Sequence, residues 1–213
     1  MLARSLPCVY CLVGIYVFYL LLPTETAPVP EAKLLLVQIV WRHGARAPFR
    51  TYPTDEFQED AWPFGFGELT QLGMQQQYEL GQYLRSRYID KYKLLNPRYS
   101  PKEVYVRSSD TDRTLVSAQS NLAGMFPLGT AGKQFPEHRR WPVSWTPIPV
   151  HTVESGQDRL TGPGDCPRLR QITIGKKPPI DGLDEIHQVA LNETGLKDIE
   201  EVRTVLCDTL ATE

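Results

Sequence analysis

Leu34-Leu35-Leu36-Val37-Gln38-Ile39-Val40-Trp41 runs directly into Arg42-His43-Gly44-Ala45-Arg46-Ala47-Pro48. The first eight residues have the apolar, β-rich composition of a buried strand. Such a strand delivers one histidine, flanked by arginines, onto a loop. Imidazole is a competent nucleophile toward phosphorus, and guanidinium forks match the oxygens of a phosphate. Arg50 adds another cation, and no acid follows the strand until Asp55. A local excess of positive charge beside a histidine points to phosphoryl chemistry. The competing reading is a histidine that merely caps a strand, with solvated arginines around it.

A second segment decides between the two. Glu103-Val104-Tyr105-Val106 reads as a short strand closed by Arg107-Ser108-Ser109-Asp110, and Leu115, Ala118, Leu122 and Met125 then recur at helical spacing. Asp110 is the expected N-cap of that helix. Arg107 thus stands at a strand's carboxyl end, as Arg42 and His43 do, and open α/β sheets bind ligands just outside those ends. Two adjacent parallel strands would bring Arg107 beside the His43 loop. Alone, Arg107 reads as a surface ion-pair partner; coupled to the first motif, it reads as a phosphate ligand.

These residues resemble the histidine acid phosphatases, in the branch with the lysosomal and prostatic enzymes. The resemblance is carried by Arg42 to Pro48 and by Trp62-Pro63-Phe64-Gly65-Phe66-Gly67-Glu68-Leu69-Thr70. It is carried further by Tyr105-Val106-Arg107-Ser108-Ser109-Asp110-Thr111-Asp112-Arg113-Thr114 and by Pro147-Ile148-Pro149-Val150-His151-Thr152. It extends from about Lys33 to about Cys166 and fades afterwards. By this resemblance His43 is the nucleophile that becomes a phosphohistidine, and Arg42, Arg46 and Arg107 hold the phosphate. Physical chemistry agrees: an attacking imidazole must be neutral at one nitrogen, whereas arginine stays charged at any working pH. Charge on the non-bridging oxygens calls for preorganised cations. No cofactor and no metal are implied, since the arginines supply the charge.

The resemblance also implies a downstream His-Asp pair whose aspartate protonates the leaving oxygen. His43, His138, His151 and His187 precede Gly44, Arg139, Thr152 and Gln188, so this sequence contains no His-Asp dipeptide. The chain therefore reads as the front part of a phosphatase: a short isoform, an incomplete gene model or a degenerate copy. His151, in a proline-rich stretch, is expected to be structural, and His187 a solvated histidine on a helix over 183–191. Asp110 and Asp112 are expected to cap the helix and orient arginines.

At 213 residues, with 41% hydrophobic residues, the chain allows one ordinary domain and a core. A formal charge of −2 argues against a nucleic-acid partner, and the pairs Arg139-Arg140 and Lys176-Lys177 read as solvated surface. Arg4 followed by the apolar run from Cys8 to Leu22 is the length of a signal-peptide core rather than a spanning helix. The expected organisation is a signal peptide over 1–27 and an incomplete histidine acid phosphatase domain over 28–213, with 130–213 a partial cap region. The expected destination is secretion or a lysosome, with no stable membrane span once the signal is removed. Cys166 and Cys207 remain; they could pair with each other, although the resemblance implies partners further downstream. Asn192-Glu193-Thr194 is an N-glycosylation acceptor.

The expected fold class is α/β: a parallel-sheet histidine phosphatase-like core, C-terminally truncated, with part of a helical cap. Leu69, Leu72, Leu80, Leu84 and Tyr88 mark a long helix, with Gln76 in the missing apolar slot. The loop over 47–67 is expected to wall the substrate pocket. From 130 to 179 proline and glycine predict irregular structure pinned to the sheet by Trp141 and Trp145. Leu196, Ile199, Val202, Leu206 and Leu210 predict a closing amphipathic helix. The functional expectation is hydrolysis of phosphate monoesters through His43. A non-catalytic phosphate- or partner-binding product is the alternative, and inositol phosphates or phosphoanhydrides form a third substrate reading. The expected partner is a small phosphomonoester, with a homodimer left open. Gly65-Phe66-Gly67 is too short for a dinucleotide loop and no P-loop pattern occurs.

Overall fold

A computed structural model describes residues 32–158, 160, 168, 172 and 183–210. The chain divides into residues 1–35 and residues 36–213. In the first unit the described residues, 32–35, are irregular. The proposed signal segment and Cys166 lie outside the described residues.

Two helices organise the second unit. Helix α1 spans Gln71–Leu84 and continues as a π-helical segment over Arg85–Lys91. Helix α2 spans Asp112–Met125. Thr70 starts α1: its hydroxyl accepts from the Gly73 amide at 3.0 Å and donates to the Ala45 carbonyl at 2.9 Å. One side chain thus caps the helix and ties it to the His43 loop. The predicted α2 is present, but it begins at Asp112 with Thr111, not Asp110, in the capping position.

The buried face of α1 differs from the expected one. Leu72 is 58% exposed and Gln76 is exposed, whereas Gly73, Gln77, Gly81 and Leu84 are buried. The reason is glycine. A Cβ at Gly81 would penetrate the carbonyl oxygen of Asn121, and one at Gly124 would penetrate that of Tyr78. The two helices therefore meet backbone to backbone, an approach only glycine permits. Hydrophobic periodicity cannot register a face built from residues without side chains. Below this contact, Leu84, Ile89, Val106, Ala118, Leu122, Met125, Phe126 and Ile148 form the core, with Ile39 and Val104 packed against it.

The expected first strand is not formed among the described residues. Residues 37–43 alternate between half-buried and exposed, as strand residues do. Yet no ladder joins them to a neighbour, Leu36 is 73% exposed and Val40 98% exposed. Extended backbone becomes a strand only when another segment takes its N–H and C=O groups. Here the Gly44 amide goes to Ser117 of α2, and the Ala45 amide and carbonyl go to Gln76 and Thr70 of α1 and its cap. The expected pairing of 103–106 with 34–41 is likewise replaced. Arg107 forms an isolated parallel bridge with His151, in which Ser108 donates to the His151 carbonyl and His151 to the Val106 carbonyl.

Residues 130–150 are largely irregular, as expected. Trp141 and Trp145 hold each other rather than a sheet. Their rings are 5.5 Å apart and the Trp141 indole donates to the Trp145 carbonyl at 2.8 Å. Helix α3 covers Leu183–Thr194, but His187 is buried while Ile186 and Val189 face out. The solvated reading of His187 is corrected accordingly: the apolar positions beside it form the exposed side. The closing helix is broken into α4 (Ile199–Glu201), a π turn (Val202–Leu206) and α5 (Cys207–Leu210). The wide π turn moves the buried side onto Val202, Val205 and Thr209.

Candidate functional site

The loop bearing His43 is fixed on every side by backbone contacts. Gln77 donates to the Arg42 carbonyl at 3.0 Å, and the Gly44 amide donates to the Ser117 hydroxyl of α2 at 3.2 Å. The Ala45 amide donates to Gln76 at 2.8 Å, which explains why Gln76 occupies that slot. Residues 45–48 then pair antiparallel with 67–70, through the Arg46–Leu69 bridge and the Ala47 amide bond to Glu68. A Cβ at Gly44 would collide with the Gly73 backbone, so the loop lies directly on the first turn of α1. A cavity lined by Ala47, Trp62, Phe64, Glu68 and Leu72 lies along the 47–67 segment, and neither His43 nor any of the expected arginines lines it.

His43 is half-buried, and its Nδ1 lies 2.7 Å from the Gly44 carbonyl oxygen. A carbonyl only accepts, so Nδ1 carries the hydrogen and Nε2 holds the lone pair of the neutral ring. Burial lowers the imidazole pKa below its usual 6.5, the Gly44 carbonyl opposes this, and the cations of Arg42, Arg113 and Arg46 lower it further. The result is a ring biased toward its neutral form, with the Nε2 lone pair among positive charges. That is the state a nucleophile toward a phosphate dianion requires.

The arginines divide into two kinds. Arg46 is buried and grips Asp208 of α5 with both Nη atoms, one of them at 3.2 Å, while Nη1 also donates to the Ala47 carbonyl at 2.9 Å. The Phe49 amide donates to the same carboxylate at 2.7 Å. Burial pushes the Asp208 carboxyl up, but the hydrogen bonds from Arg46 and Phe49 and the charges of Arg46 and Arg113 outweigh it, and its pKa lies below 3.8. Arg107 donates from Nη2 to buried Asp158 at 2.7 Å, and its Nε is buried without an acceptor. It is not among the charges that act on His43. Arg42 and Arg113, by contrast, form no ion pair among the described residues.

Of the expected site residues, Arg42 and Arg46 therefore act on His43 and Arg107 engages Asp158 instead. Arg113, in the same motif as Arg107 but not singled out by the sequence, also acts on His43. Its spacing from Arg107 gave no signal; its place in the first turn of α2, over the Phe49 ring, does. Arg46 lies 3.9 Å and Arg113 4.9 Å from that ring's centroid. His151 is exposed, with its ring stacked on Tyr105 at 4.8 Å, and its backbone is part of the Arg107 bridge.

A fixed loop thus carries an imidazole under the influence of three guanidiniums. Residues 33–194 match the family model of the histidine phosphatase superfamily (branch 2), and the chain belongs to that family. It is 44% identical over 180 residues to lysosomal acid phosphatase of Homo sapiens, covering 81% of this chain and 41% of that protein. With prostatic acid phosphatase of Homo sapiens it shares 47% identity over 142 residues, 66% of this chain and 35% of that protein. The chain thus spans about two fifths or less of these relatives. Among solved structures, the phytase of Citrobacter braakii superposes with a TM-score of 0.40 at 36% identity, over 45% of this chain and 26% of that one.

Proposed function

We propose that this chain carries the nucleophilic half of an acid phosphatase that hydrolyses phosphate monoesters through a phosphohistidine at His43. The observation that carries the reading is the His43 ring itself: Nδ1–H is committed to the Gly44 carbonyl, leaving Nε2 as the free lone pair beside cations. Nε2 attacks phosphorus, the N–P bond forms and the P–O bond to the alcohol breaks. Water then attacks phosphorus, the N–P bond breaks and inorganic phosphate leaves. Arg42 and Arg46 offset the charge on the non-bridging oxygens, and Arg107 joins them in this assignment on the strength of its motif. The relatives, named as acid phosphatases, favour the enzymatic reading over a non-catalytic binding product.

The leaving alkoxide also needs a proton. Asp208 is held as an anion by Arg46 and the Phe49 amide and cannot donate one. General acid assistance is typically worth about 10² to 10⁴ in rate.

The relatives' names support a lysosomal or secreted destination. Exposure of Asn192 on α3 supports glycosylation there, and no described helix is long and apolar enough to cross a membrane. A ³²P-labelled aryl phosphate, quenched in alkali, tests the mechanism. Label that survives alkali, is lost in acid and is absent from His43→Ala is expected. Folded, unmutated protein that never acquires label overturns it.

A further inference from the structure

We propose that the cleft between residues 96–101 and residues 130–147 is a second anion site, separate from the His43 loop, for a saccharide that carries sulfate or phosphate esters. The proposal stands whether or not the phosphomonoesterase reading above does.

The cleft lies away from the nucleophile. Its lining comes from residues 96–101, 130–134 and 146–147. The first of these segments runs into Arg107 and the last into His151, and those two residues form a parallel bridge. The cleft therefore stands at the amino ends of the two bridged segments, and Arg107 at the carboxyl end. Its volume is about 690 Å³, within the usual range for small-molecule sites and far more than one phosphate fills.

Donors without partners furnish this cleft. Arg98 and Lys133 stand in it on different segments, both exposed, and neither forms an ion pair among the described residues. The Gln134 Oε1 accepts from the Thr130 amide at 2.9 Å, and the Asn96 Oδ1 accepts from the Arg98 amide at 3.0 Å. A backbone amide only donates, so both side-chain oxygens are spent locally and the two NH₂ groups are left for a ligand. Glu103, which follows in sequence, already accepts from the Asn96 amide at 2.8 Å, and Glu137 pairs with neither cation. Two scattered cations would read as solvated surface. Two cations and two spare amide donors around one concavity match a ligand rich in acceptors and negative charge.

The remaining lining selects a sugar. Tyr99, Pro101 and Pro147 add apolar surface on which a ring can lie while its esters meet the donors. Tyr99 is braced edge-on against buried Phe126, with ring centroids 5.9 Å apart. Lys133 and Gln134 are carried on a tight turn whose amides both donate to the Thr130 carbonyl at 3.0 Å. A Cβ at Gly129 would collide with Thr146 Oγ1 and the Phe135 ring, so this turn is packed closely against the opposite wall. The cleft is thus preformed, which lowers the cost of ordering a ligand in it.

Sucrose octasulfate and glucose 1,6-bisphosphate, titrated calorimetrically into the His43→Ala chain, test the proposal without turnover consuming a probe. At least one should bind, and the tighter one identifies the preferred ester. In that background Arg98→Ala/Lys133→Ala should weaken binding on the order of 10-fold, the size of two solvent-exposed ionic contacts, and added salt should shrink the difference. Arg98→Gln/Lys133→Gln keeps two long side chains and should show the same loss, which separates charge from packing. Arg139→Ala/Arg140→Ala removes equal charge from exposed positions and should leave affinity intact. With His43 restored, Arg98→Ala/Lys133→Ala should acquire ³²P label as the unmutated chain does. Undiminished affinity in the Arg98 and Lys133 variants overturns the proposal, as does an equal loss in the Arg139 and Arg140 control. Failure of both probes to bind overturns it as well.

Discussion

Two contacts hold the His43 loop in its surroundings, and they are built from opposite materials. On one side α1 and α2 meet through Gly81 and Gly124 above an apolar core. On the other, residues 46–54 are tied to the C-terminal helices by polar atoms. Arg46 and the Phe49 amide hold Asp208, Arg50 holds Thr204 at 2.9 Å, and Thr54 donates to the Glu193 carbonyl at 2.8 Å. The first contact depends on shape and is indifferent to pH. The second depends on charge and can be titrated. The His43 loop held between them is anchored by one contact and tunable through the other.

The glycine contact should break most severely. In an exposed helix Gly→Ala gains up to about 1 kcal/mol of helix propensity. At Gly81 the added methyl meets the Asn121 carbonyl, and overpacking of that kind costs about 3 kcal/mol. Sterics should win, so Gly81→Ala should lower the midpoint of urea unfolding; an unchanged or raised midpoint would refute the close approach. Asp208→Asn comes next. It keeps one acceptor but loses the charge, and a loss of about 1–2 kcal/mol is expected for a partly exposed charged hydrogen bond. Because its folded pKa is depressed, the stability from Asp208 is fully present above 3.8 and is lost as pH falls through the folded value. Unmutated protein and Asp208→Asn should therefore converge in stability in strong acid and differ by the full, constant amount from about pH 5 upward.

Smaller effects sharpen the comparison where the two contacts meet. Thr70→Ala removes a cap and the clamp on Ala45 and should cost about 1 kcal/mol. His43 should titrate below 6.5. Since the unfolded ring takes up its proton first, stability should fall as pH drops below 6.5 and level off beneath the folded value. A midpoint at or above 6.5 would remove the physical basis for a neutral nucleophile in mild acid.

Much of this was legible in the sequence because it is written in side chains. The His43 motif, the apolar spacing of Leu115, Ala118, Leu122 and Met125, and the helix over 183–191 all announce themselves by composition and period. What escaped was written otherwise. The buried face of α1 is made of Gly73 and Gly81, which hydrophobic patterns cannot weigh. His187 is buried although its apolar neighbours Ile186 and Val189 are not, so polarity alone misplaced it. Residues 34–41 have strand composition, but a strand also needs a partner whose identity no local window contains. Arg113 stood in a recognised motif and was passed over. Its effect on His43 depends on its place beside Phe49, sixty-four positions away in sequence, which no local window contains.

Gly44 against Gly73 also governs how the His43 loop moves. Neither residue leaves room for a methyl group between loop and helix, so the segment carrying the imidazole cannot drift independently of α1. Its thermal amplitude is inherited from a capped fourteen-residue helix instead of from a solvent-washed turn. The orientation of the imidazole is thus set by atoms that are missing, and substitution at Gly44 or Gly73 should spoil that orientation more readily than adjust it.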